Sequence, residues 1–320
     1  MVIQDSQGHS YQNSGEKVLV TGATGFIGSH LCRRLCEARA EVHAISRGPV
    51  PQIRSDLRWW HGDLADADNV KDLLSAIKPD VIFHLAGYPV GAREVHHVIP
   101  SLRSNLISTV NLLVASSELG CRKILLAGSL EEPAEGDHLT TPSSPYAVAK
   151  WASSAYARMF YKLYKVPVVL LRLFMVYGPE QQDIRKLIPY VILSLLRGDS
   201  PKLTSGLRLV DWIYVDDVVD GLLAAAAASE VEGKTIDLGS GQLVSIRTVV
   251  EHLVSMVNPS IHPDFGAVAD RPLEQVRVAD ATRSDSLIGW RVRTTLEQGL
   301  RNTTEWYRGQ TTSSGNAIIP

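Results

Sequence analysis

The sequence is poor in several things, and each shortage removes a class of protein. It has only three cysteines in 320 residues, Cys32, Cys36 and Cys121, too few for a disulfide framework. Cys32 and Cys36 lie four apart on a helix-like stretch, where they are expected to face a sheet as small apolar residues. No further ligands accompany them, and His96-His97 reads as solvated helix surface, so no metal site is assigned. A formal net charge of −2 gives no electrostatic ground for a nucleic-acid partner or an anionic membrane. No apolar run approaches the ~20 residues that cross a bilayer. The first fifteen residues are polar and lack the hydrophobic segment of a secretion signal, so a soluble, cytoplasmic protein is expected. No internal repeat is present.

What remains is ordinary globular composition, 45% hydrophobic and 21% charged, with strand-like and helix-like segments alternating along the chain. Strands are expected at Lys17–Thr21, Glu41–Ile45, Leu57–His61, Val81–Leu85, Lys123–Gly128, Pro167–Leu173 and Lys234–Leu238. Helical patterns at Ser29–Ala38, Asn69–Ala76, Pro100–Glu118 and Ala147–Tyr164 supply the crossovers that parallel strands need. The fold class is therefore α/β, a doubly wound Rossmann parallel sheet, with a smaller discontinuous C-terminal substrate lobe. The boundaries expected are a tail at 1–15, a dinucleotide-binding domain at 16–178 and 211–240, the lobe at 179–210 and 241–308, and a second tail at 309–320. The last assignment rests on polar ends rich in Ser, Gln, Asn and Gly.

Two motifs carry chemistry. After the apolar run Val18-Leu19-Val20-Thr21 comes Gly22-Ala23-Thr24-Gly25-Phe26-Ile27-Gly28 and then a helix. Glycines there permit a tight turn and close backbone approach, so a pyrophosphate can rest on the helix's free N–H groups and positive dipole end. A glycine turn with a packing role alone is the competing reading. Further on, Tyr146 and Lys150 share a helix face at i and i+4. Lys150 is expected to lower the pKa of Tyr146, and Ser129, at a strand's carboxyl end seventeen residues upstream, to hydrogen-bond the oxygen that exchanges a proton. Such a trio interconverts alcohols and ketones. Ligands of doubly wound sheets bind beyond the strands' carboxyl ends, where the glycine turn, Leu85-Ala86-Gly87 and Ser129 all fall.

In their order, Gly22-x-x-Gly25-x-x-Gly28, Gly62-Asp63-Leu64, His84-Leu85-Ala86-Gly87, Ser129, Tyr146-x-x-x-Lys150 and Arg172-x-x-x-x-Tyr177-Gly178-Pro179 resemble the extended short-chain dehydrogenase/reductase family. The match is to its nucleotide-sugar epimerase and dehydratase branch, over about residues 16 to 308. The resemblance implies a bound NAD(P), a lobe for a nucleoside-diphosphate (NDP) sugar, and pairing as a homodimer through the helices at 100–118 and 147–164. It gives Asp63 and Leu64 to the adenine, Ala86 and Gly87 to the cofactor's backbone contacts, and Tyr146 and Lys150 to the ribose and nicotinamide side. Asn105 is either part of this site or a buried structural amide, and Asp63 has a turn residue as its alternative. Departures fall on the substrate side. Met175 stands where relatives commonly carry Asn, and Val210 where they often carry a phosphate-binding Arg. Arg208 can substitute if it shares a strand face with residue 210, and Arg271 is the better-matched phosphate ligand.

Cofactor choice is read from the second strand's end, Ser46-Arg47. No acidic residue is there to bind ribose hydroxyls, whereas Ser and Arg suit a 2′-phosphate, which favours NADP(H) and leaves NAD(H) possible. That favours a net reductase, a 4-ketoreductase of an NDP-4-keto-6-deoxyhexose, with Tyr146 as general acid. Members that return the hydride to the sugar, the 4,6-dehydratases and epimerases with resident NAD, are the alternative. Dehydratases resembling this chain place Asp-Glu after the hydroxyl residue. Here Leu130 removes the first carboxylate, and Glu131, a catalytic and substrate-side candidate, keeps the second. A third reading is a catalytically silent dinucleotide-binding protein.

Overall fold

The computed structural model describes residues 3–4, 10–11, 15–48, 56–133 and 140–313. The tail expected at 1–15 lies almost wholly outside the described residues. Residues 309–313, expected as tail, continue a helix that runs through Ser313, and the rest of that expected tail lies outside the described residues. The chain divides into two compact units: residues 1–173, 219–238 and 281–291 form the first, and 174–218, 239–280 and 292–320 the second.

The first unit is built on seven strands: β1 (Lys17–Thr21), β2 (Glu41–Ser46), β3 (Arg58–His61), β4 (Val81–His84), β5 (Lys123–Ser129), β6 (Val168–Leu173) and one more, Thr235–Leu238, called β9 below. All pair in parallel, in the order β9-β6-β5-β4-β1-β2-β3. Every residue of β4 and β5 is buried, as expected of central strands covered on both faces, whose sequences run apolar instead of alternating. Between the strands run α1 (Phe26–Glu37), α2 (Ala67–Ile77), α3 (Val95–Leu119) and α4 (Pro145–Tyr164). The Asp66 carboxylate starts α2 by accepting from the backbone N–H groups of Asp68 and Asn69. Ser144 starts α4 by accepting from Ala147 N, with Pro145 at the first helical position, where its missing N–H costs nothing. Strand order turns at β1, whose neighbours β4 and β2 lead to opposite sheet edges, and a crevice for ligands opens at such a point.

Helix α3 departs from expectation in extent and form. It starts at Val95, and its middle, Leu102–Ile107, is π-helical. By length and composition alone it could cross a membrane, against the expectation that no apolar run is long enough. Within the unit it packs against α2 and α4, and it carries the buried polar residues Ser101, Asn105, Ser108 and Thr109.

The second unit holds β7 (Met175–Tyr177), α5 (Leu187–Arg197), β8 (Leu209–Tyr214), β10 (Leu243–Ser245), α7 (Ile246–Val257) and α9 (Leu296–Ser313). Helix α6 (Val215–Ala227) precedes β9 in the chain, and α8 (Ala281–Ile288) precedes α9. Strand β8 pairs with β7 in parallel and with β10 antiparallel. Residues 211–218 thus group with the second unit, where the sequence suggested sheet material of the first. The buried Asp211 carboxylate explains it, accepting backbone N–H groups from Ser240, Gly241 and Ala279. Conversely 281–291 groups with the first unit, where the Ser284 hydroxyl donates to Asp237 O on β9.

Candidate active site

The glycine turn after β1 is shaped by backbone proximity. Gly25 N donates to Gly22 O at 2.9 Å. A Cβ on Gly28 would lie 2.1 Å from Gly22 O, and one on Gly22 would lie 2.7 Å from Ala86 N, at a φ of +73°. Side chains are therefore excluded at both positions, and the turn is drawn against the end of β4. Gly25, the N-cap of α1, contributes no capping side chain, and no acidic residue occupies the first turn. The cradle of Gly22, Thr24, Gly25, Phe26, Ile27 and Gly28 fits a dinucleotide's pyrophosphate.

A row of hydrogen bonds fixes the turn after β4. Leu85 N donates to Thr21 O, and Ala86 N to Thr21 Oγ1. Thr21 Oγ1 lies 2.8 Å from His84 Nδ1, and His84 Nε2 lies 3.1 Å from Thr109 Oγ1, which itself donates to Asn105 O. The Thr109 donation leaves its oxygen to accept from Nε2, so His84 is neutral with its proton there and Nδ1 accepts from Thr21. Burial, with Lys150 nearby, pushes its pKa down to about 3. The Asn105 side chain accepts from Tyr88 N and donates to Tyr88 O and Ser101 Oγ. Its amide thus holds this loop.

Ser129 ends β5, one residue beyond the expected strand. Its hydroxyl bears on the ionisation of the Tyr146 phenol, which it favours, and accepts from Glu131 N at 3.2 Å. Lys150 Nζ donates to Ala127 O at 2.9 Å and would lie 3.7 Å from a Cβ on Gly87, so Ser129, Tyr146, Lys150 and the 85–87 turn converge. Burial pushes the Tyr146 phenol up to about 12, with Glu132 and Glu131 adding to the rise and Ser129 opposing it. Burial pushes the Lys150 ammonium down to about 8, against Glu132. The expected lowering of Tyr146 by Lys150 is not among these effects, because burial dominates and the ammonium is directed at Ala127 O. Glu131 Oε2 accepts from Ser143 Oγ at 3.0 Å, and Ser143 O accepts from Arg93 Nε at 2.8 Å.

Other candidates have local partners. Ser46 Oγ donates to Gly48 O and receives Gly48 N, both at 3.2 Å, and Arg47 is exposed with its carbonyl bonded to His61. Asp63 accepts from Ala65 N and, at 3.4 Å, from Arg103, and Leu64 is buried with its carbonyl accepting from Asn111. In the second unit Met175 opens β7 opposite Trp212. Arg208 precedes β8 and does not lie in it. Glu274 brings it together with Arg271, at 3.2 Å and 4.0 Å. The sequence reading passed over Lys186, the N-cap of α5. The residue is exposed overall, yet desolvation around its ammonium lowers its pKa, and Arg271 and Arg185 push the same way. Its only signal was a lysine just before an apolar helix. Among the described residues no group of His, Cys, Asp and Glu could hold a metal ion.

The family model described as the NAD dependent epimerase/dehydratase family matches residues 18–239. The chain belongs to that family. It is 30% identical over 316 residues to a UDP-glucose 4-epimerase of Mycolicibacterium smegmatis, covering 92% of this chain and 99% of that protein. It is 28% identical to dTDP-glucose 4,6-dehydratase 1 of Escherichia coli, covering 92% and 93%. Among solved structures, the UDP-glucuronic acid 4-epimerase of Bacillus cereus, in complex with UDP-glucuronic acid and NAD, superposes with a TM-score of 0.82. It is 27% identical, with 92% of this chain and 99% of that one covered. The family resemblance read from the motifs, and the doubly wound fold, are thus shown. These relatives are named for nucleotide sugars, and the Bacillus cereus structure holds NAD; they do not support the finer expectation of an NADP-dependent 4-ketoreductase.

Proposed function

We propose that the chain acts at C4 of an NDP-hexose in a redox-neutral reaction of the 4-epimerase type, with NAD retained at the carboxyl ends of β1 and β4. The observation that carries this is the convergence of the Ser129–Tyr146 pair and Lys150 on the 85–87 turn. Tyr146 takes the proton of the C4 hydroxyl as a hydride leaves that carbon, and the same phenol returns it when the ketone is reduced. Ser129 stabilises the alkoxide, and Lys150 holds the nicotinamide ribose. NAD bound there would supply the hydride acceptor, and its positive charge would favour phenolate against the burial that opposes it. The cations Lys186 and Arg271 match a diphosphate.

Epimerisation is favoured over dehydration by the segment after Ser129. Elimination needs an acid and a base near the sugar's 5- and 6-positions. Leu130 is buried and apolar, Glu131 is engaged by Ser143, and Glu132 is turned to the backbone of Ser129. The 4-ketoreductase with NADPH is the second reading, favoured by the exposed Arg47 beside Ser46, although that hydroxyl is already tied to Gly48. Cofactor analysis separates the two. The purified protein is expected to release NAD on denaturation and to convert a UDP- or dTDP-hexose with no added nucleotide; stoichiometric NADPH consumption on a 4-keto sugar, unaltered Arg47 being required, would replace the first reading by the second.

Pairing with a second copy is part of the same proposal. Ile99, Leu102 and Val114 on α3 and Val148, Tyr156 and Leu163 on α4 expose large apolar side chains, more than a helical face in water usually leaves open. Sedimentation of the native protein as a dimer and of Ile99→Glu as a monomer is expected; a monomeric native protein rejects the pairing.

A further inference from the structure

Glu132 is a buried carboxylate that no step above uses. It is 5% exposed, and its Oε1 accepts from the backbone N–H of Ser129 at 2.7 Å. The room for it comes from Gly128: a Cβ there would lie 2.7 Å from that oxygen. Charges and donors face it from each neighbouring element. From α4 come the Ser154 hydroxyl and the Lys150 ammonium, both of which favour its ionised form, with the Tyr146 phenol feeling its charge. From β6 comes Arg172, at the register position opposite Gly128, bonded on its other side to Asp237 of β9 at 2.9 Å. The neighbouring carboxylate is Glu131, turned to Ser143. Glu132 thus has two cations acting on it, Lys150 and Arg172, the second of which is shared with Asp237. Burial raises the carboxyl's pKa, while Ser129, Ser154, Arg172 and Lys150 pull it back.

We propose that Glu132 is a positioning residue: its carboxylate, held by the Ser129 N–H and balanced by Arg172, fixes the backbone that carries the Ser129 hydroxyl and sets the charge that Tyr146 and Lys150 experience. The proposal rests on the reading of Tyr146 as the proton-exchanging group. A carboxylate that merely ends a strand would influence stability and leave the phenol's ionisation alone.

Glu132→Gln tests this, because the amide oxygen can still accept from Ser129 N while the charge is gone. Ionisation of Tyr146 is followed by ultraviolet phenolate absorbance as the difference between each protein and its Tyr146→Phe partner, with no substrate present. The negative charge of Glu132 raises the pKa of both Tyr146 and Lys150, so its removal lowers both. The Tyr146 titration is expected to move down by about one pH unit, and both limbs of the kcat/KM profile to lower pH with it. An unmoved titration in a folded Glu132→Gln protein overturns the proposal. Should that variant not fold, Gly128→Ala decides. Its added methyl displaces the carboxylate from Ser129 N with the charge kept, and kcat is expected to fall about tenfold, the loss of one hydrogen bond; an unchanged kcat overturns the proposal. A shifted titration in a protein that turns over no NDP-sugar sinks the function proposed above and leaves the role of Glu132 standing.

Discussion

The two units hold their candidate residues by different means. In the first, the groups expected to meet a dinucleotide are fixed by backbone: glycines that admit no Cβ, N–H groups at strand ends, and hydroxyls bonded to carbonyls. In the second, the candidates are long cations on ion pairs, Arg208 and Arg271 sharing Glu274. A dinucleotide's phosphates are alike in every member of a family, so a rigid cradle serves, whereas the sugar nucleotide varies and flexible side chains can change with it. Buried histidines mark the same contrast. Among the described residues His30, His43 and His84 are buried, all in the first unit.

The largest way to break the comparison is Gly28→Ala. The added methyl, 2.1 Å from Gly22 O, meets backbone that cannot step aside. It is expected to abolish retention of NAD and to destabilise the protein by about 1–3 kcal/mol or more, read by nucleotide released per chain and by thermal unfolding. Full NAD content would show that the turn is not the cradle. Next is Tyr146→Phe, for which turnover should fall at least ~10²-fold with sugar-nucleotide binding retained; unchanged turnover removes the phenol from the chemistry. On the side of the second unit, Arg271→Ala should raise KM about tenfold with kcat and NAD content little changed, the mark of lost ground-state binding. A fall in NAD content would contradict the division of labour between the units.

The last effect is a slope. His84 is neutral in the fold, its pKa held at about 3 by burial, against an ordinary imidazole value of 6.5. Between those values the unfolded chain binds a proton that the folded one does not, so stability is lost as pH falls through that window, by about 1.4 kcal/mol for each unit. His84→Asn is expected to flatten that slope in acid unfolding curves. A slope unaltered by the change would place the acid sensitivity elsewhere, His43 being the next group whose pKa burial lowers.

The strands of the main sheet, the glycine turn and the Tyr146–Lys150 spacing were legible because each is a local pattern: an apolar run, a turn residue, one helical step. What the sequence hid depends on pairing across distance. That 209–214 pairs with 175–177 and 243–245 follows from Asp211 gathering N–H groups up to 68 residues away. Asn105 reads equally well as ligand or structural amide, because its partner Tyr88 lies 17 residues away in the chain. The Ser129–Glu132 contact joins near neighbours, yet its meaning comes from Arg172 and Lys150 on other elements. The reductase expectation came from Ser46-Arg47, two residues whose composition suits a phosphate but whose hydroxyl is bound into its own turn.

The most direct test of the central claim, that a hydride leaves C4 and returns to the sugar within one site, follows deuterium. The protein is given an NDP-hexose deuterated at C4, without added cofactor, and the product is examined by mass spectrometry and NMR. Deuterium retained at C4 of the epimer is the expected result. Label lost to a soluble nucleotide pool, or no conversion until NADPH is supplied, would contradict it.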